Sequence, residues 1–146
     1  MIRKLCVLLM GLFALQTMVK ADDERLITVD QLPKPAQNFI SLYFPDHKIS
    51  MVKEEEDFFN VEYDVIFTDG DKVEFLKNGE WKKIECRVRP VPYSVVPGAV
   101  RTFIEQKHPD AQIMKIEKDR GDLEIELNNK IELVFGKDHQ FKRYED

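Results

Sequence analysis

The chain has 146 residues, with 22 lysines and arginines against 27 acidic side chains and a formal charge of −5. An acidic chain without a basic cluster argues against nucleic acid as a partner, because phosphate backbones are bound through lysine and arginine.

In chain order, Arg3 and Lys4 precede a mostly apolar run from Leu5 to Val19, and Val19-Lys20-Ala21 places small residues at a cleavage position. This is the pattern of a secretory signal, residues 1–21, removed after about Ala21. The run is shorter than the roughly 20 residues a membrane span needs, so no span is expected after cleavage. Cys6 lies ahead of the apolar run, which disfavours a lipoprotein. The expected location is the periplasm or the exterior. Residues 22–146 retain 19 basic and 27 acidic side chains, a charge of −8. A chain of this length buries roughly two-thirds of its unfolded surface, enough for one core.

Residues 32–49, LPKPAQNFISLYFPDHKI, align with residues 96–113, VPGAVRTFIEQKHPDAQI. Pro33 meets Pro97, Phe39 meets Phe103, Ile40 meets Ile104, Pro45 meets Pro109 and Asp46 meets Asp110. Apolar positions 32, 36, 39 and 40 form the stripe of an amphipathic helix. Pro35 and Pro97 suit a first helical turn, and Pro45 and Pro109 stop each helix after about ten residues. Alternating segments follow each helix, at 48–54, 60–67, 72–75 and 81–88 and again at 112–118, 123–127, 131–135 and 140–144. Turns carrying Asp69-Gly70, Asn78-Gly79 and Asn128-Asn129 separate them. Period-two alternation with one polar side belongs to antiparallel strands solvated on one face. The expected fold is α+β, a single domain over residues 22–146 built as a tandem duplication of a helix-plus-four-strand unit. The repeats cover about 26–88 and 93–145, the helices lie on one face of an antiparallel sheet, and the other face is open to solvent.

Few residues point to chemistry. His47, His108 and His139 lack ligand spacing and are expected as solvated surface side chains, so no metal site is predicted. Glu54-Glu55-Glu56-Asp57 and Asp69-Gly70-Asp71 read as solvated hairpin turns, since neither completes a calcium-loop pattern. Cys86, the one cysteine left after cleavage, alternates with Ile84 and Val88 as a small core residue. No nucleophile motif, phosphate loop or acid–base pair can be named, so neither enzymatic activity nor a cofactor is expected.

The sheet's outward face is the remaining candidate. Alternation points Glu62, Asp64, Glu74, Glu124, Glu126 and Glu132 away from the helices. On the 81–88 strand it sets Trp81, Lys83, Glu85 and Arg87 opposite Ile84, Cys86 and Val88. A bulge after Asn78-Gly79 would instead turn Trp81 inward, as its counterpart Phe141 packs, and both placements stay open. The expected partner contacts are Trp81, Tyr93, Glu62, Asp64, Lys83, Arg87 and Glu126, since aromatic and arginine side chains commonly anchor interfaces.

The stretch NGEWKKIECRVRPVPYSVVPGAV (78–100) and the repeated helix–Pro-Asp exit resemble the PepSY-like proteins exported by Bacteroides-type bacteria, related in fold to the secreted β-lactamase inhibitor protein. The resemblance runs from about Leu26 to Tyr144 and is most specific over 81–100. It implies an extracytoplasmic, non-enzymatic protein whose sheet holds a protein or peptide. Inhibition itself belongs to one relative, and no motif here carries it over. The acidic face predicts an unidentified, basic-surfaced partner and salt-sensitive binding. The alternative is a small-ligand or metal-binding accessory protein of the cell envelope.

Overall fold

The computed structural model describes residues 23–145; residues 1–22 and 146, and with them the expected signal segment, lie outside the described residues. Nine strands form one antiparallel sheet whose spatial order is the chain order. β1 is Asp23–Ile27, β2 Ile49–Glu56, β3 Val61–Phe67, β4 Lys72–Leu76 and β5 Trp81–Glu85. β6 is Ile113–Asp119, β7 Asp122–Leu127, β8 Glu132–Phe135 and β9 Phe141–Glu145. Helix α1, Lys34–Tyr43, connects β1 to β2, and helix α2, Gly98–Lys107, connects β5 to β6.

The prolines bracket both helices, although Pro97, expected in the first turn of its helix, precedes it. Pro33 and Pro97 are the N-caps, Pro35 sits in the first turn of α1, and the last helical bonds are Phe44 N–H to Ile40 O and His108 N–H to Ile104 O. Ala36 and Ile40 of α1 and Val100 and Ile104 of α2 are buried in one apolar cluster with the strands. Phe39 meets Phe75 of β4 edge-on, with centroids 5.6 Å apart, and Phe103 meets Phe135 of β8 at 5.5 Å.

Strand register explains why there is one core. Ile27, Val52, Val65, Val73, Ile84, Ile116, Ile125, Leu133 and Tyr144 are successive cross-strand partners across the whole sheet. From Val65 to Leu133 each member of this row is at most 1% exposed. Burial of such a side chain contributes about 1.5–3 kcal/mol. One position along, on the opposite face, runs Lys53, Asp64, Glu74, Lys83, Glu117 and Glu124.

Three expectations need correction. β1 adds a ninth strand: its sequence, DERLI, is exposed and lacks alternation, and it is held by backbone pairing to β2. Charged side chains on such an edge discourage pairing with another chain. Glu54, Glu55 and Glu56 complete β2 instead of forming a turn, because β1 and β3 supply ladder partners on both sides. β5 ends at Glu85, so Val88 is exposed, while Cys86 stays buried and its N–H donates to Met114 O.

Candidate functional site

The charged face is a mosaic, with lysines set among the carboxylates that the sequence pattern places there. Lys53 pairs with Glu24, Lys72 with Asp64 and Glu74, and Lys83 with Glu85, all within 3.2 Å. Net acidity is left at two places. At the β2–β3 end, Asp23, Glu24, Glu55, Glu56, Asp57 and Glu62 surround an open recess of about 330 Å³. At the β7–β9 end, Glu126, Glu132 and Glu145 are cross-strand neighbours, and like charges so placed repel. Burial raises the pKa of Glu55 and of Glu124, and the nearby Asp64 and Glu117 carboxylates add to the respective shifts.

The expected contact residues are not brought together. Glu74 pairs with Lys83 and Phe75 with Trp81, leaving Lys82 as the extra residue of a bulge. That bulge turns Trp81 to the side of Phe75, half-buried against the core, with the Lys118 ammonium 4.0 Å from its ring centroid. Phe135 and Phe141 repeat the arrangement around Lys142. Asp64 is on the charged face but only 5% exposed, so it presents little surface to a partner. Burial, with Glu74 adding, raises its pKa in spite of Lys72 at 3.2 Å. Arg87 lies beyond β5, exposed, with its backbone N–H donating to Asp71 Oδ1. Glu62 is tied to Lys82 at 2.8 Å, Lys83 to Glu85, and Glu126 to Lys130 at 3.3 Å. Tyr93 is exposed under the Arg101 guanidinium and lines a largely apolar groove of about 470 Å³ with Val96, Ile104, His108 and Ile113.

Two features escaped the sequence reading. Phe58 and Phe59, at the tip of the β2–β3 hairpin, are 80% and 97% exposed. Asp57 closes this turn, its carboxylate accepting from Phe59 N–H and its N–H donating to Asn60 O. The available signal was two consecutive aromatics between turn-forming Asp57 and Asn60, a pair that alternation cannot place on one face. The second is a corner where His47, after α1, meets the β3–β4 turn. His47 Nε2 lies 3.4 Å from Asp69 Oδ2 and 3.3 Å from Asp71 Oδ2. Asp71 is 1% exposed and the His47 side chain 10%, so neither is the solvated surface group expected. Nothing in their spacing announces this contact, which tertiary folding creates.

No helix among the described residues is long and apolar enough to cross a membrane. Sheet, helices and junction define a class of small α+β proteins built on one open antiparallel sheet. The family described as "Putative beta-lactamase-inhibitor-like, PepSY-like" matches residues 61–143, and the chain belongs to this PepSY-like family. A crystal structure from Bacteroides thetaiotaomicron, described as a "putative calcium-regulated periplasmic protein", is 39% identical, with TM-score 0.82 over 85% of this chain and 98% of that one. A "putative periplasmic protein" from Bacteroides vulgatus is 43% identical, with TM-score 0.82 and the same coverage. Another from Bacteroides vulgatus, "of unknown function", is 31% identical with TM-score 0.79, covering 86% of this chain and 99% of that chain. No curated protein matches. With periplasmic relatives at this similarity, the protein is an exported one.

Proposed function

We propose that the protein is a non-enzymatic binding module, inhibitor-like in architecture, that holds a protein or peptide through its charged sheet face and the β2–β3 hairpin tip. In this reading the chain is a tandem duplication whose two helices cover one face and leave the other for the partner. The exposed Phe58–Phe59 pair carries the proposal. Two adjacent phenylalanines in water forgo about 1.5–3 kcal/mol each that burial would supply. They stand beside the acidic recess, so the partner is basic-surfaced with an apolar pocket, and salt weakens the complex.

Crosslinked capture of partners from the native cell envelope, followed by affinity measurement on the captured protein, tests this. Phe58→Ala/Phe59→Ala is expected to weaken binding roughly tenfold or more, as truncation of an anchor does. Charge reversal at Glu55, Glu62 and Glu126 is expected to weaken it further at low salt. Affinity unchanged in both variants would contradict the proposal. A second reading, a small-ligand accessory protein of the envelope, draws on the groove beside Tyr93.

A further inference from the structure

We infer that His47, Asp69 and Asp71 form a binding site for a divalent transition-metal ion of the zinc type, separate from the partner surface proposed above. His47 Nε2 and one carboxylate oxygen from each aspartate lie within 4.8 Å of one another. The two His47 separations are 3.4 and 3.3 Å. A tetrahedral ion with bonds of about 2.0–2.1 Å sets adjacent ligand atoms about 3.3 Å apart, so little movement is needed to close on it.

The second, independent observation is an unpartnered buried oxygen. Asp71 Oδ1 accepts from Arg87 N–H, but Oδ2 has no hydrogen-bond partner among the described residues, although Asp71 is 1% exposed. A buried carboxylate oxygen facing another carboxylate is costly unless a cation meets it. The nearby cation is Arg89, whose Nη2 lies 2.8 Å from His47 Nε2 and 3.9 Å from Asp69 Oδ2. Its side chain is 60% exposed, on the solvent side of the corner. Its Nη2 also lies 3.3 Å from His47 Nδ1, which sets the guanidinium across the ring rather than in line with the Nε2 lone pair. The corner gathers three lone-pair donors on its inner side.

The other half of the chain shows that the fold does not demand these residues. The β7–β8 turn keeps the same backbone bonds, Leu127 N–H to Ile131 O and Lys130 N–H to Leu127 O. Asn129 closes it through Ile131 N–H as Asp69 does through Asp71 N–H. Yet Ala111, Asn129 and Ile131 stand where the first half has His47, Asp69 and Asp71. Imidazole with two carboxylates suits zinc, cobalt or nickel, whereas calcium takes six to eight oxygens.

The test is calorimetric titration of the untagged exported protein, stripped by chelator, with zinc and separately with calcium. One zinc ion per chain is expected, undisturbed by a large excess of calcium. Asp69→Asn and Asp71→Asn should each weaken zinc binding roughly tenfold or more, whereas Arg89→Ala should leave it equal or tighter. Nitrogen-15 spectra of the wild type should show the His47 ring resonances shifting on zinc addition, a readout that needs no variant to fold. No zinc bound, unchanged affinity in both aspartate variants, or unmoved His47 resonances would overturn the inference.

Discussion

The corner at the β3–β4 turn and the corner at the β7–β8 turn are built on one backbone and filled with opposite chemistry. Each turn follows the same hydrogen-bond pattern, with Thr68 N–H donating to Lys48 O in one and Asn128 N–H to Gln112 O in the other. In the second corner Ile131 packs against the core, and in the first the buried Asp71 faces His47. The apolar filling is what packing alone selects. The charged filling costs desolvation, so its presence points to a task outside folding.

The largest effect expected from pairing the halves is in what they share. Phe75 and Phe135 are 0% and 1% exposed and each takes the edge of a helix phenylalanine. Phe75→Ala and Phe135→Ala should each cost about 3–5 kcal/mol in urea unfolding. A cost confined to one of them would break the equivalence.

Next are the hairpin positions that differ. Gly79 has φ +86°, and a Cβ there would stand 3.0 Å from the Cβ atoms of Pro33 and Pro35 at the start of α1. Its counterpart His139 adopts φ 61° with its side chain in solvent. Gly79→Ala should therefore destabilise by about 2 kcal/mol or more, combining left-handed strain with the contact. His139→Gly should be neutral or stabilising by up to about 1 kcal/mol, read by the same unfolding curves.

Rebuilding the first corner as the second, by His47→Ala, Asp69→Asn and Asp71→Ile, should leave stability within about 1–2 kcal/mol of the wild type in chelator. Loss of the Arg87 N–H acceptor offsets relief of the buried carboxylate. A larger loss would mean that the charged corner holds the fold.

Smallest is a pH effect at Asp64 and its counterpart Glu124, both with pKa values raised by burial. A carboxyl whose folded pKa exceeds its unfolded one contributes most below the unfolded value, and the contribution is lost as pH rises through the folded pKa. Asp64→Asn should thus be more stable than the wild type at pH 7, by under about 1 kcal/mol, with the advantage gone near pH 4. Thermal melts at the two pH values check this, and the less buried Glu124→Gln should show a weaker version.

Much of the architecture was legible because its signals are local. The proline brackets and the Phe39–Ile40 and Phe103–Ile104 stripes mark both helices, and alternation marks eight of the nine strands. β1 was not legible, since a charged edge segment such as DERLI becomes a strand only through the partner beside it. The side of Trp81 depends on the Lys82 bulge, and bulges are decided by cross-strand pairing. Asp64 alternates like a surface residue and is nonetheless buried. The His47 corner joins segments distant in the chain and leaves no motif.

The central claim, that a protein partner meets the hairpin tip and charged face, is tested most directly by site-specific photocrosslinking in the periplasm. One crosslinking side chain would replace Phe59, and another would replace Leu42, an exposed position on α1. Adducts to one protein from position 59, reduced by high salt and missing from position 42, are the predicted result. Adducts from position 42 with none from position 59 would contradict the account and move the binding surface to the helices.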